Sequence, residues 1–223
     1  MKTAIYTCIT GGYDSLKQPR ATSCDFDFIC FVGSGEKTCE RDGAWIIREL
    51  PKPEFEMRYL SRYVKTHPHE FLPEYEASVW MDGNIEVLDG SVFEAAEAAL
   101  DAGHLFCGVP HPTRDCVYQE AKKCRDMRYI SYLDLARIWA TLFVNGVPRH
   151  AGLTETNLLF RRHADPRMVR FDEMWWDKIL HFCRRDQLSF LWCVRSCGIT
   201  VNDFLPDGKN TRNHPGLKYH LHK

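Results

Sequence analysis

Two oxygen-bearing side chains, Asp82 and Asn84, stand where one apolar stretch of the sequence ends and a second begins. The flanking residues 78–81 (SVWM) and 85–87 (IEV) favour strands, and Gly83 permits a tight turn between them. Ligands of α/β proteins bind beyond the carboxyl ends of strands, which is where both side chains would lie. A carboxylate and an amide oxygen at that place suit Mg²⁺ or Mn²⁺, which can neutralise a diphosphate. An ordinary hairpin turn explains the tripeptide equally well.

A second polar segment, residues 10–14 (TGGYD), follows the first predicted strand at residues 3–9. It matches neither the GxGxxG pattern nor a P-loop, so neither phosphate-binding motif is indicated. Paired glycines let the backbone approach a ligand closely, an aromatic ring can stack on a base, and a carboxylate can accept from a base or ribose. We interpret the segment as a nucleoside contact, with an ordinary turn as the alternative. Its residues are Thr10, Gly11, Gly12, Tyr13 and Asp14.

Three cationic side chains, Arg58, Arg62 and Lys65, recur at helical spacing in the segment before Asp82. Residues 54–65 predict a helix, since one proline stands just ahead of the segment and another follows it. Positions i, i+4 and i+7 fall on one stripe of a helix, and a cationic stripe near the ligand end of the sheet matches a diphosphate. The alternative is the ordinary solvated face of a surface helix.

Polar residues also follow a later predicted strand at residues 104–109. His111 and Arg114 fall in the loop after it, where binding residues collect, although an exposed helix-entry loop would look the same. Further along, Asp186 and Gln187 join two predicted helices that are rich in aromatic residues. Asp186 fits a helix N-cap, and equally a carboxylate that acts on an acceptor hydroxyl as base or charge stabiliser.

Histidines offer further ligands near the end of the sequence and at residues 67–69 (HPH). His214 and Lys218 stand in a segment rich in Pro, Gly, Asn and His, and would suit a metal and a phosphate respectively. His67 and His69 flank a proline at the exit of a predicted helix, which explains their spacing without a metal.

These polar residues need elements to position them, and the sequence alternates predicted strands with predicted helices. Such alternation favours an α/β fold with a mostly parallel central sheet flanked by helices. We expect a single domain over residues 1–223, with a nucleotide-binding part at about 1–90 and an acceptor-side part at about 91–223. Predicted strands cover residues 3–9, 26–32, 44–50, 104–109, 153–161 and 199–201, besides those around Asp82; predicted helices cover 54–65, 91–101, 116–127, 131–143, 171–182 and 186–197.

Composition argues against several functional classes. The 223 residues have a formal net charge of −1, so overall electrostatics do not favour nucleic acid as a partner. Ten cysteines occur without a CxxC pattern or a secretory leader, which indicates reduced thiols in a cytoplasmic protein. No apolar run reaches the roughly 18 residues that a membrane span needs, so no transmembrane segment is predicted. A peripheral position at an inner membrane stays compatible with these features.

Five segments of the sequence, taken in order, resemble a known family. They are residues 7–14 (TCITGGYD), 62–69 (RYVKTHPH), 79–84 (VWMDGN), 111–120 (HPTRDCVYQE) and 185–190 (RDQLSF). From about residue 3 to residue 200 the chain resembles the TOD1/MUCI70 glycosyltransferase-like domain family, also called DUF616. The resemblance implies a GT-A fold, which is a nucleotide-binding α/β domain with an Asp-x-Asp-type metal site.

By this resemblance Asp82 and Asn84 occupy the metal motif, with an amide where the pattern has its second carboxylate. The tail is loosely similar to the His-x-x-Gly-x-x-Lys motif of retaining GT-A enzymes, although the spacing here is shorter. His214 would then join the metal, and Lys218 would join the phosphates. The implied cofactor is Mn²⁺ or Mg²⁺, and the implied metal ligands are Asp82, Asn84 and His214.

The resemblance implies a metal-dependent, hexosyltransferase-like enzyme that moves a sugar from a nucleoside-diphosphate sugar to a hydroxyl of a saccharide or other acceptor, as in surface polysaccharide synthesis. Asp186 and Gln187 would be the catalytic residues that face the sugar and the acceptor. The alternatives are a metal-dependent hydrolase with ligands from the His-rich segments, and a non-catalytic sugar- or nucleotide-binding module. The expected nucleotide-sugar-binding residues are Thr7, Thr10, Gly11, Gly12, Tyr13, Asp14, Arg58, Arg62, Lys65, Asp82, Gly83, Asn84, His111, Arg114 and Lys218.

Overall fold

Most strands are short segments rich in Val, Ile, Phe and Trp, and the amphipathic segments between them form helices. The computed structural model describes residues 2–221, to which the bounds below refer. The strands are β1 Thr3–Cys8, β2 Phe26–Val32, β3 Arg41–Asp42, β4 Trp45–Glu49, β5 Ala77–Met81, β6 Ile85–Val87, β7 Phe106–Pro110, β8 Thr154–Arg161, β9 Asn202–Asp203 and β10 Leu217–Tyr219. The helices are α1 Leu60–Thr66, α2 Pro68–Phe71, α3 Ser91–Asp101, α4 Val117–Asp126, α5 Tyr132–Val144, α6 Pro166–His181 and α7 Gln187–Cys197, with 3₁₀ turns at Met57–Tyr59 and Pro206–Gly208.

Eight of these strands form one sheet in the order β3-β4-β2-β1-β5-β8-β7-β9. The pairs β4–β2, β2–β1, β1–β5 and β7–β9 run parallel, whereas β3–β4, β5–β8 and β8–β7 run antiparallel. The predicted α/β fold with a mostly parallel sheet is therefore confirmed. Because β1 and β5 are parallel neighbours, their carboxyl ends lie side by side at one edge of the sheet.

Side-chain alternation along the strands divides the core between the two faces of the sheet. On β5, Trp80 belongs to the cluster under α1, α6 and α7, whereas Val79 and Met81 belong to the cluster covered by α3. A smaller cluster packs α4 and α5 against the start of α7. All ten cysteines are unpaired within the described chain, and seven of them are buried. Across residues 2–221 no helix combines the length and apolar character needed to cross a bilayer.

Some element bounds differ from the predicted ones. The predicted helix at residues 54–65 begins as a 3₁₀ turn, and regular α-helix starts only at Leu60, without a side-chain cap. Helix α6 starts at Pro166, ahead of its predicted start, because Asp165 caps it. The predicted strand at residues 199–201 is wrong, since the pairing with β7 is made by β9 instead.

The turn after Asp82 does not close a hairpin. Strand β5 pairs with β1 and β8, while β6 pairs antiparallel with β10 to form a separate two-stranded ribbon, the β6–β10 ribbon. At one end of this ribbon, the N–H of His220 donates to the carbonyl of Asn84 over 2.9 Å. The hairpin alternative for residues 82–84 is therefore wrong, and the tail of the chain reaches the end of β5.

One ion pair is completely buried in the core. Arg161, at the end of β8, donates from Nη1 to Oδ1 of Asp172 on α6 over 2.6 Å, and neither side chain is exposed. Its Nη2 donates to the hydroxyl of Tyr6 on β1 over 2.7 Å and to the backbone carbonyl of Lys65. The guanidinium thus joins the sheet to α6 and to the end of α1.

Arg161→Met is expected to lower the free energy of unfolding by about 3–5 kcal/mol, because the carboxyl group of Asp172 stays buried without its partner and must take up a proton at neutral pH. Adding Asp172→Leu removes that buried carboxyl group and should recover much of the loss. Chemical denaturation measures both variants, and Arg167→Met, which breaks an exposed pair with Asp165, should change stability little. Equal losses in the single and double variants would contradict this account.

Candidate active site

Asp82 follows β5 directly, at the carboxyl end of the strand. It stands two residues after Trp80, so both side chains lie on one face, and the indole Nε1 donates to Oδ1 of Asp82 over 2.7 Å. The backbone N–H of Asp82 donates to the carbonyl of Asn157 over 2.9 Å. These two bonds fix a partly exposed carboxylate at the edge of the sheet.

The loop at residues 10–14 meets the turn at residues 82–84. A methyl group added to Gly83 would stand 3.0 Å from the side chain of Ile9 and 3.7 Å from Cβ of Asp14. Glycine is therefore the residue that permits this close approach without displacement. The two segments follow the parallel neighbours β1 and β5, which explains why they meet.

Within that loop, Gly11 and Gly12 have φ values of 62° and 64°, in the left-handed region that glycine adopts without strain. The N–H of Gly11 donates over 2.8 Å to a carboxylate of the loop after β2. The ring of Tyr13 is 65% exposed, and its N–H lies 3.3 Å from the carbonyl of Thr10. Thr7 lies deeper, inside β1, with its hydroxyl buried.

A cavity of about 140 Å³ opens beside this loop, between the segment that follows β1 and strands β2, β3 and β4. It is large enough for a flat ring, and a larger groove of about 450 Å³ beside α5 contains none of the predicted site residues. The smaller cavity is lined by Ile9, Leu16, Cys30, Val32, Glu36 and Thr38, among others.

Lys65 and Asp186 form a buried ion pair next to Trp80. The ammonium lies 2.6 Å from Oδ2 of Asp186, and the two side chains are 5% and 16% exposed. The hydroxyl of Thr156 on β8 donates to the same oxygen over 3.0 Å. The ammonium also stands 5.6 Å from the ring centroids of Trp80 and Trp175, within the range of a cation–π contact.

These contacts decide the charge of Asp186. Burial by itself would raise the pKa of this carboxyl group, but the cations of Lys65 and Arg62 hold the pKa of Asp186 well below its usual range. Asp186 is therefore an anion at neutral pH. Although it stands at the N-cap position of α7, its side chain makes no capping bond there. The neighbouring Gln187 donates from Nε2 to the carbonyl of Thr154 over 2.9 Å.

The predicted cationic stripe is incomplete because Arg58 lies outside α1. Arg58 falls in the 3₁₀ turn, pairs with Glu56 over 2.9 Å and is exposed. Arg62 donates to the carbonyl of Arg58 over 3.2 Å and adds positive charge at Asp186. The structure therefore brings Arg62 and Lys65 to Asp186 and leaves Arg58 at the surface.

His111 and Arg114 form a compact cluster with Glu120 after β7. Nε of Arg114 donates to Oε2 of Glu120 over 2.6 Å, and its Nη2 lies 2.9 Å from Nε2 of His111. The other imidazole nitrogen, Nδ1, accepts from the backbone N–H of Arg114 over 3.0 Å. Burial, and after it the positive charge of Arg114, lowers the pKa of His111 to about 4. The positive charge of Arg212 also lowers the pKa of His111, so Arg212 lies near this cluster.

The neutral His111 predicts a pH dependence of stability. Its pKa is about 4 in the folded chain and about 6.5 when unfolded, so the unfolded chain binds more protons between these values and stability falls as the pH falls through that window. We expect His111→Gln to lose less stability than wild type over the same window. Urea denaturation between about pH 4 and about pH 7 measures the difference, and identical pH profiles would contradict the assignment.

Strand β8 supplies polar groups at this edge that the sequence analysis did not identify. Burial raises the pKa of Glu155. The positive charge of Arg212 lowers this pKa, and the negative charge of the nearby Asp82 raises it. Oε1 of Glu155 pairs with Arg212, whereas Oε2 is buried without a hydrogen-bond partner within residues 2–221. Oδ1 of Asn157 is buried in the same way. In the sequence, only the polar start of this strand (TETN, residues 154–157) indicated a binding role. That β8 lies beside β5 is known only from the strand pairing in the structure.

The tail places His220, rather than His214, beside Asn84. Nδ2 of Asn84 donates to the carbonyl of His220 over 2.7 Å, and Nε2 of His220 lies 2.8 Å from Oε2 of Glu86. His214 lies beyond the other end of the β6–β10 ribbon, where its Nδ1 accepts from a backbone N–H over 3.1 Å. The structure therefore does not bring His214 to Asp82 and Asn84. Lys218 is exposed and stands opposite Glu86 in the register of the β6–β10 ribbon.

The donors at this edge suit a hard cation. Asp82 and Glu155 supply carboxylates, and Asn84 and Asn157 supply amides, so the set is rich in oxygen. Mn²⁺ and Mg²⁺ prefer oxygen ligands of these kinds. The buried oxygens of Glu155 and Asn157 have no hydrogen bond in this part of the chain, and a cation beside them would satisfy both. The residues present therefore fit the metal that the sequence resemblance implies.

Comparison with a solved glycosyltransferase structure shows a shared fold. The apo structure of mouse xyloside xylosyltransferase 1 matches with a TM-score of 0.50 and 8% sequence identity, covering 91% of this chain and 84% of that chain. The apo structure of the bifunctional glycosyltransferase WbbM gives a TM-score of 0.46 and 8% identity, covering 91% of this chain and 38% of that chain.

Comparison of sequences is more specific. No curated protein sequence matches the chain. A family model described as TOD1/MUCI70, glycosyltransferase-like domain, matches residues 1–204, which is most of the chain. The same family was indicated by the five sequence segments, of which residues 7–14 and residues 79–84 meet at Gly83. The chain therefore belongs to the TOD1/MUCI70 glycosyltransferase-like domain family.

Proposed function

We propose that this protein transfers a sugar from a nucleoside-diphosphate sugar to an acceptor hydroxyl, with Mn²⁺ or Mg²⁺ bound at Asp82. One observation supports the proposal most directly. Asp82 contacts Trp80, the ring of Trp80 contacts Lys65, and Lys65 pairs with the ionised Asp186. A carboxylate suited to a metal and a second, buried carboxylate therefore belong to one connected site, which suits a reaction whose leaving group is a diphosphate.

On the donor side, the loop at residues 10–14 would contact the nucleoside, with exposed Tyr13 against the base and the cavity of about 140 Å³ beside it. Asp82 and Asn84 would hold the metal, with Glu155 as the additional carboxylate. When bound, the metal supplies Lewis-acid stabilisation of the departing diphosphate. The cations that would compensate the remaining charge are Arg62, Arg114, Arg212 and Lys218, because the ammonium of Lys65 is already neutralised by Asp186.

On the acceptor side, Asp186 would face the sugar and the acceptor. Its low pKa makes it a poor proton acceptor, so stabilisation of positive charge that develops on the sugar suits it better than removal of a proton. Lys65 and Thr156 hold the carboxylate in place, and Gln187 is fixed to β8 beside it. The proposal also includes a hexosyl donor and a saccharide acceptor, as in surface polysaccharide synthesis. It places the protein in the cytoplasm.

The first experiment is a thermal unfolding series with UDP, GDP, CMP and ADP, each with and without Mn²⁺. A ligand at about 100 times its dissociation constant stabilises the folded chain by roughly 2.7 kcal/mol, which is readily measured. We expect one nucleotide to raise the melting temperature only when Mn²⁺ is present, and the matching nucleotide sugar then to yield a glycosylated acceptor. No shift with any nucleotide would contradict the proposal, and a shift without any transferred sugar would indicate a binding module.

A further inference from the structure

Two histidines and two glutamates meet where α1 ends, outside the residues assigned to sugar transfer. Nε2 of His67 and Nε2 of His69 each lie 3.6 Å from Oε1 of Glu173 on α6. Glu70 on α2 completes the group, because its carboxylate, that of Glu173 and a ring nitrogen of His67 lie within 4.8 Å of one another. Three side chains that commonly bind metals therefore converge, and His69 adjoins them through Glu173.

The orientation of His67 is fixed by its other ring nitrogen. Nδ1 lies 2.9 Å from the carbonyl of Tyr63 and 3.0 Å from the hydroxyl of Thr66, and the ring packs on Tyr63 with a centroid distance of 4.0 Å. Because a carbonyl can only accept, Nδ1 carries the hydrogen, and the lone pair of Nε2 points at Glu173. A histidine whose distal N–H is held by a backbone carbonyl is the usual arrangement around a protein-bound metal.

His69, unlike His67, has no hydrogen-bond partner at Nδ1 within the described residues. Its Nε2 faces the same carboxylate oxygen as His67, and its Nδ1 is buried. When its hydrogen is on Nδ1, as zinc binding at Nε2 requires, the lone pair of Nε2 faces that carboxylate oxygen, and a cation between the two atoms would replace repulsion by attraction. In tetrahedral coordination with bonds of about 2.0–2.1 Å, neighbouring ligand atoms are about 3.3 Å apart. The two 3.6 Å spacings at Glu173 are close to this value, whereas the ring of His69 has to move toward His67 and Glu70 to complete the set.

Glu70 is also held in place. The hydroxyl of Tyr63 donates to its Oε2 over 2.8 Å, which fixes one of its two carboxylate oxygens. Tyr63 thus supports two members of the group, His67 through its carbonyl and Glu70 through its hydroxyl. Such hydrogen bonds to ligands orient them and commonly change metal affinity by about 10- to 100-fold.

We propose that His67, His69, Glu70 and Glu173 bind a zinc ion. Two imidazole nitrogens with two carboxylate oxygens are typical zinc ligands, whereas Mn²⁺ and Mg²⁺ suit the oxygen-rich edge at Asp82. The ion would link the segment between α1 and α2 to α6. It would thereby hold the end of α1, the helix that carries Lys65.

The test uses the untagged full chain, equilibrated with excess Zn²⁺, dialysed, and analysed for metal content by mass spectrometry. We expect one zinc per chain and a higher melting temperature with Zn²⁺ than after treatment with a chelator. Glu173→Gln should weaken zinc binding by at least about 10- to 100-fold, because it removes the charge that both histidines face. Asp177→Asn, one turn along α6 and exposed, is the matched control and should bind zinc like the wild type.

Cobalt gives a second readout that does not depend on stability. Co²⁺ bound by two imidazoles and two carboxylates in a tetrahedron absorbs visible light strongly, and we expect this band in the wild type and in Asp82→Asn. Absence of stoichiometric zinc, equal zinc affinity in Glu173→Gln, or loss of zinc in Asp82→Asn would each overturn the proposal. The first outcome would leave His67, His69 and Glu173 as neighbouring side chains without a metal, and the third would assign the zinc to the Asp82 edge.

Discussion

Asp82→Asn is expected to reduce sugar transfer by about 100-fold or more and to raise the Mn²⁺ concentration needed for half-maximal rate. The amide can still accept the hydrogen bond from Trp80 but lacks the charge that attracts the metal. Because residue 82 is only partly buried and asparagine has nearly the same shape as aspartate, the free energy of unfolding should stay within about 0.5 kcal/mol of the wild-type value.

The measurement is the initial rate of transfer against Mn²⁺ concentration, together with nucleotide affinity from calorimetry. Glu97→Gln removes an exposed carboxylate from α3 and should change neither quantity. Glu155→Gln tests the carboxylate that the structure adds to the site, and it should also increase the Mn²⁺ requirement. Normal transfer with a normal Mn²⁺ requirement in Asp82→Asn would remove Asp82 from the metal site.

The second large effect is expected at Asp186. Asp186→Asn should leave the affinity for the donor nucleotide nearly unchanged and reduce transfer by about 100- to 1000-fold, because the negative charge proposed to face the sugar is lost. The same change leaves the ammonium of Lys65, only 5% exposed, without its counter-charge. We therefore also expect the free energy of unfolding to fall by about 3 kcal/mol.

A double variant separates these two effects at Asp186. Combining Asp186→Asn with Lys65→Met removes both charges, so it should recover most of the stability that the single change loses. Transfer should remain low in the double variant, since the carboxylate is still missing. Recovery of transfer together with stability would show that Asp186 only supports the fold.

The central strands of the site could be predicted from local composition. Residues 3–8 and 77–81 are apolar and rich in β-formers, and each is soon followed by glycine and polar residues. Strands separated by helical segments favour parallel pairing, and β1 and β5 are indeed parallel neighbours. The meeting of residues 10–14 with residues 82–84 follows from that pairing alone.

The surroundings of Asp82 could not be predicted in this way. The tail contains several histidines, and only the register of β10 on β6 places His220, and not His214, beside Asn84. Alternation of apolar and polar residues determines which face a side chain takes, but it does not determine the partner strand. The same limit applies to Arg58, whose place in a 3₁₀ turn separates it from the helical stripe of Arg62 and Lys65.

By itself, the sequence determined the α/β class, the family, and a carboxylate at the end of a buried strand. The tertiary structure alone decided that β8 runs antiparallel beside β5, which brings Glu155 and Asn157 to Asp82. It also decided that Lys65 is neutralised by Asp186, 121 residues further along the chain. The physical reason is that local composition selects which segments become strands and helices, whereas the need to pair buried charges and polar groups is met only when distant segments pack together.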